Sequence, residues 1–218
     1  MTLQQLQQSI LQRDIDFIID LINSGKNPNV IYPGVFSNQY ALIYASIHNQ
    51  LKYVELLVES GANINCVDFD GYTAFHGACS SSDIKLIEYL FNAGSDINSY
   101  NNCNETPLHT AALHGNTEAI KFLVENGALL NARSTNINST VPKTPLCYAG
   151  KIDDVSILIN AGAELNQYTI EKYDSRLGQA FVDCIKKTRQ YNMIRYLSKE
   201  YQQQFNPIVV KASKNGIY

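Results

Sequence analysis

The residues best equipped for chemistry in this chain of 218 residues are four histidines (His48, His76, His109, His114) and five cysteines (Cys66, Cys79, Cys103, Cys147, Cys184). A thiol nucleophile needs a base within hydrogen-bond reach, and no histidine follows His114 in the sequence to serve Cys147. The cysteines are odd in number, far apart and without a C-x-x-C pair, which excludes zinc-site spacing and suits reduced thiols in a reducing compartment. Phosphate loops, nucleophile elbows and dinucleotide-binding glycine turns are all missing. Asn138-Ser139-Thr140 matches a glycosylation acceptor, but no secretory signal accompanies that short pattern. These residues predict a chain with no catalytic group, no metal and no cofactor.

Bulk composition narrows the classes further. Hydrophobic residues make up 45% and charged residues 17%, values of an ordinary folded protein long enough for one domain or one continuous array. No apolar run approaches the roughly 18 residues of a membrane span. The opening MTLQQLQQSILQRD lacks the basic start and apolar stretch of a signal peptide, so a cytoplasmic location is expected, with signal-independent export into a host cell left open. Net charge is −3, which gives nucleic-acid binding no electrostatic basis. The charge is uneven: residues 1–166 carry 8 Lys and Arg against 16 Asp and Glu, and residues 167–218 carry 9 against 4. A basic terminal helix pair resting on an acidic neighbour and a site for an acidic partner both fit that asymmetry.

The elements that position these residues repeat. Thr73 and Thr106 are 33 residues apart, and Gly61, Gly94, Gly127 and Asn65, Asn98, Asn131 keep the same step. The clearest copy runs from Asn104 to Asn131, an earlier one from Asp70 to Asn98, and a looser one covers residues 40–65. Each copy reads as two short antiparallel helices and a turn. Thr106 is placed to cap a first helix that opens on Pro107, and Gly115 to end it. Glu118 to Glu125 supply the second helix, with Ile120, Leu123 and Val124 at helical spacing, and Gly127 closes it in the left-handed conformation. One such pair cannot bury both helices, so copies must stack, with Ala78, Ala111 and Ala112 permitting close approach.

With its Thr-Pro-Leu-His segment, Ala pair, Gly, apolar second helix and Gly-Ala ending before Asn, the sequence resembles the ankyrin-repeat family. The resemblance implies an all-α fold: a solenoid of stacked antiparallel helix pairs with short β-turn fingers. It divides the chain into an N-terminal capping helix pair (1–34), four repeats (35–67, 68–100, 101–133, 134–166) and a basic C-terminal helical cap and tail (167–218). It also implies that His76 and His109 hydrogen-bond backbone between units, and Cys147 takes the same place in the fourth. Two irregularities stand out. The step from Thr106 to Thr144 is 38, adding five residues near Asn131 to Lys143, and the short interval from Thr144 to Gly162 removes about one turn from the fourth first helix.

In this register, the positions that form the family's binding groove are occupied by Phe36, Gln39, His48, Phe69, Asp70, Tyr72, Tyr100, Asn102, Glu105, Leu113, His114 and Arg133, joined by Ile47, Val67, Ser80, Ser81, Cys103 and Lys143. His48 and His114 belong to non-adjacent units, too far apart to share a metal. Phe36, Phe69, Tyr72 and Tyr100 come from successive fingers. They either anchor a partner or pack on neighbouring turns within the array. Asp68, Asp70 and Glu105 would steer a basic surface. The expected function is a non-catalytic interaction module that binds another protein through its groove and finger tips and is monomeric when free. The alternatives are an inhibitor or immunity protein that neutralises an enzyme or toxin, and a secreted host-directed effector.

Overall fold

Apolar residues at helical spacing, interrupted by capping residues and glycines, produce four pairs of short helices among the described residues. The computed structural model describes residues 20, 31–33, 38–81, 83–135, 142–165 and 169. The pairs are α1 (Ala41–Ile47) with α2 (Leu51–Glu59), α3 (Ala74–Ser80) with α4 (Ile84–Asn92), α5 (Pro107–His114) with α6 (Thr117–Glu125), and α7 (Pro145–Tyr148) with α8 (Ile152–Ala161). A small antiparallel hairpin, β1 (Ile31–Pro33) and β2 (Asn38–Tyr40), precedes them, with Ile31 opposite Tyr40. The sequence pattern does not signal this hairpin; it leads into α1.

First helices α1, α3, α5 and α7 pack in series, and second helices α2, α4, α6 and α8 form a parallel row. The second helices show why: Leu86, Ile87 and Leu90 of α4, and Ala119, Ile120 and Leu123 of α6, are buried at i, i+1, i+4 spacing while Lys85, Glu88, Glu118 and Lys121 face water. First helices are buried on more sides, so every residue of α5 from Pro107 to Ala112 is buried, with Leu108, Ala111 and Ala112 fully covered. Each buried Leu or Ile contributes about 1.5–3 kcal/mol. Gly115 ends α5 at φ +62°, and Gly127 follows α6 at φ +86°.

The periodic asparagines tie one unit to the next. Asn65 Oδ1 accepts from the Asp96 N–H at 3.0 Å while its amide donates to the Gly94 carbonyl at 3.2 Å. Asn98 Oδ1 accepts from the Leu129 N–H at 2.8 Å, and Asn131 Oδ1 from the Glu164 N–H at 2.8 Å. A side chain with both an acceptor and donors can satisfy backbone groups of the next turn, which explains the 33-residue step. The fourth unit is irregular as expected. α7 has four residues, and Ser134 and Lys143 form an antiparallel bridge ahead of it.

Candidate functional site

The site is built from two fingers and the first helices behind them. In the finger before α3, Asp68 Oδ1 accepts from the N–H groups of Asp70 (3.0 Å) and Tyr72 (2.8 Å). One repeat later Asn101 Oδ1 does the same for Cys103 (2.9 Å) and Glu105 (2.8 Å). These short side chains fold each finger locally. The fingers are then joined: the Asn102 N–H donates to the Asp70 carbonyl at 2.9 Å and its amide to the Phe69 carbonyl at 2.7 Å. Gly71 permits this approach. It has φ +79°, and a Cβ there would lie 2.7 Å from the Asn102 nitrogen. Thr135 continues the series, its N–H donating to the Cys103 carbonyl at 2.7 Å.

Behind the fingers, the histidines are locked. The Thr73 N–H donates to His76 Nδ1 at 3.2 Å, and Nε2 lies 3.1 Å from the Glu105 carbonyl of the next unit. The Thr106 N–H donates to His109 Nδ1 at 3.0 Å, and Nε2 lies 3.1 Å from the Lys143 carbonyl. Carbonyls only accept, so Nε2 carries the proton in both rings and each imidazole is the neutral tautomer. Burial lowers His76 to about 4 and also lowers His109. With both nitrogens engaged, neither ring is available as a general base. Cys147 occupies the equivalent place, its buried thiol 3.5 Å from Thr144 Oγ1. Burial raises Cys66 to about 11 and raises Cys79 too, so both stay thiols at neutral pH.

A cleft of about 360 Å³ opens between the fingers and α1, α3 and α5, and it brings together Asp68, Asp70, Tyr72, Glu105, Leu113 and His114. Leu113 is 58% exposed there; at the tips Phe69 is 66% and Tyr100 49% exposed. Asn102 is exposed but stapled to the preceding finger, and Arg133 and His48 are exposed, the latter with its ring centroid 4.4 Å from that of Tyr44. Gln39 lies in β2 opposite Tyr32. Phe36 lies outside the described residues, as do most of the expected N-terminal capping pair and nearly all of the C-terminal cap and tail.

Tyr72 requires a correction. It is not a ring held out at a finger tip. It is half-buried, edge-on to His76 at 5.4 Å between centroids, and its hydroxyl donates to Glu105 Oε2 at 3.3 Å. The residue just before the capping Thr lies at the base of the finger, where the ring reaches the next unit. Burial and the Glu105 charge push its hydroxyl up to about 12. Glu105 likewise does more than face solvent: Asn101 Nδ2 donates to Oε2 at 3.1 Å and the Tyr148 hydroxyl to Oε1 at 2.8 Å.

Tyr148 is the residue that sequence reasoning missed. It is the fourth residue of α7, where α3 has Gly77 and α5 has Thr110, and it joins the network across 43 residues, so the repeat gives no signal for a phenol there. Lys143 lies with Nζ 5.6 Å from the Tyr148 ring centroid, a cation–π contact.

Among the described residues, no group of His, Cys, Asp and Glu side chains is arranged to hold a metal ion, and no helix is long and apolar enough to cross a membrane. No curated protein matches the chain. The family model for ankyrin repeats (3 copies) matches residues 6–101 and 93–169, and ankyrin repeats are generally protein–protein interaction modules. The repeated Thr-capped helix pairs, the locked histidines and this match together place the chain in the ankyrin-repeat family.

Proposed function

We propose that this protein is a non-catalytic interaction module that holds a folded partner or peptide through its concave groove and finger tips. The observation that carries this reading is the exposure of Leu113 in the cleft and of Phe69 and Tyr100 on the fingers. Large apolar side chains on rigid turns are liabilities unless covered, and such residues are the usual anchors of interfaces. The turns are held rigid by the Asn102 and Thr135 bonds, so the rings are presented with little entropy left to lose on binding. The engaged histidines support a binding role over catalysis. The division into a capping pair (1–34), four repeats and a basic cap (167–218) is part of the same proposal, as are a cytoplasmic location and a monomeric free state.

The test is affinity capture from the native cell with the full chain and with Phe69→Ala and Tyr100→Ala. Each substitution should weaken capture of a specific partner by roughly 30-fold, the equivalent of about 2 kcal/mol, with little change in melting temperature. Variants that unfold yet retain the partner would place the binding surface elsewhere.

A further inference from the structure

The groove's walls differ in kind from its tips. Asp68, Asp70 and Glu105 line the cleft, and its lining includes no lysine or arginine. Asp70 serves the fold through its backbone, which donates to Asp68 Oδ1 and accepts from the Asn102 N–H. Its exposed carboxylate makes neither a hydrogen bond nor an ion pair among the described residues. Glu105 is held differently. Three neutral donors, Tyr72, Asn101 and Tyr148, fix both its oxygens in a half-buried position without neutralising the charge. The two buried histidines add no positive charge, since burial keeps both neutral. The cleft therefore presents fixed negative charge beside exposed Leu113 and Ile47, and exposed Phe69 stands on the finger between Asp68 and Asp70. A groove of about 360 Å³ lies at the low end of binding-pocket sizes, room for a few side chains rather than a domain.

Resting on the interaction reading above, we infer that the occupant is an extended segment of a partner protein carrying a lysine or arginine. Its cation sits against Asp70 and Glu105, and apolar residues on either side cover Leu113 and Phe69. Charge complementarity selects this occupant: an acidic segment would face three carboxylates, and a wholly apolar one would leave them desolvated without a counter-charge. The cation is the specificity element and the apolar contacts supply most of the affinity.

The test pans a displayed library of random peptides against the full chain at pH 7.5, then measures affinities of synthetic winners by fluorescence anisotropy. Enriched peptides should carry a Lys or Arg next to Leu, Ile or Phe. Their affinity should fall about fivefold with Asp70→Asn, fall further as salt rises from about 0.05 M to about 0.5 M, and fall about tenfold or more with Leu113→Ala. Asp70→Asn removes charge but no fold contact, so its melting temperature should match the parent. Winners that are neutral or acidic and indifferent to Asp70→Asn, yet sensitive to Leu113→Ala and Phe69→Ala, would overturn the basic segment and leave the groove reading intact. Winners indifferent to all three substitutions, or no enrichment, would overturn both. A concentration-dependent dimer abolished by Phe69→Ala would name a second copy as occupant and overturn a foreign one.

Discussion

Acidification should loosen the interface between the second and third units through His76. This ring is fully buried, its Nδ1 accepts from the Thr73 N–H and its Nε2 donates across to the Glu105 carbonyl, so the folded state admits only the neutral form. Burial holds it at about 4, whereas a free histidine titrates near 6.5. The unfolded chain therefore binds the proton more readily. Stability is complete above pH 6.5 and declines as pH falls from 6.5 toward 4, by about 1.4 kcal/mol per unit and about 3 kcal/mol in all. His109, also lowered by burial, adds a loss of the same sign below pH 6.5.

Urea unfolding of the full chain at pH 7.5, 6.5, 5.5 and 4.5 would be followed by circular dichroism, comparing the parent with His76→Asn. At pH 7.5 the variant should be weaker by about 2 kcal/mol, because the Glu105 carbonyl and Thr73 N–H lose partners. Below pH 6.5 its stability should fall less steeply than the parent's, and the gap between the two should close. Carboxylates that protonate near the bottom of this range are common to both chains, so the difference isolates the ring. Equal slopes would refute the locked neutral imidazole.

Leu108→Ala, in a fully buried position of α5, should cost about 2–5 kcal/mol in urea unfolding by leaving a cavity. Gly71→Ala should destabilise by about 2 kcal/mol or more and open the finger junction, because the added Cβ meets the Asn102 backbone in a positive-φ conformation. Faster amide exchange at Asn102 would report it. Asn98→Ala removes the bonds to the Leu129 N–H and the Gly127 carbonyl, and should lower stability by about 1 kcal/mol without altering peptide binding.

Much of the fold is legible in the sequence because it depends on local chemistry repeated at a fixed step. Thr73 and Thr106 open helices, the glycines after the second helices close them, and buried alanines let first helices approach; each effect acts over a few residues. The 33-residue recurrence of Asn65, Asn98 and Asn131 is visible as a pattern, although its cause, side chains spanning to the next unit, appears only in space. The hairpin before α1 has no comparable signal, since strand pairing over so few residues depends on what it leans against.

For the site, sequence register alone placed Phe69, Tyr100 and Leu113 at groove positions, and tertiary structure decided which rings stand free. Tyr72 and Tyr100 are both aromatic residues of fingers, yet one turns inward to Glu105 and the other is half open to water. Their identity fixes what they can do, while the neighbouring unit determines what they touch. The same holds for Glu105, whose charge is evident from the sequence. Two of its three donors, from positions 72 and 148, meet it only because stacking brings segments dozens of residues apart to one point, and Tyr148 reaches it because a phenol stands where α3 has Gly77 and α5 has Thr110. Periodicity encodes contacts that recur at every step; contacts made by a side chain peculiar to one unit belong to the folded array.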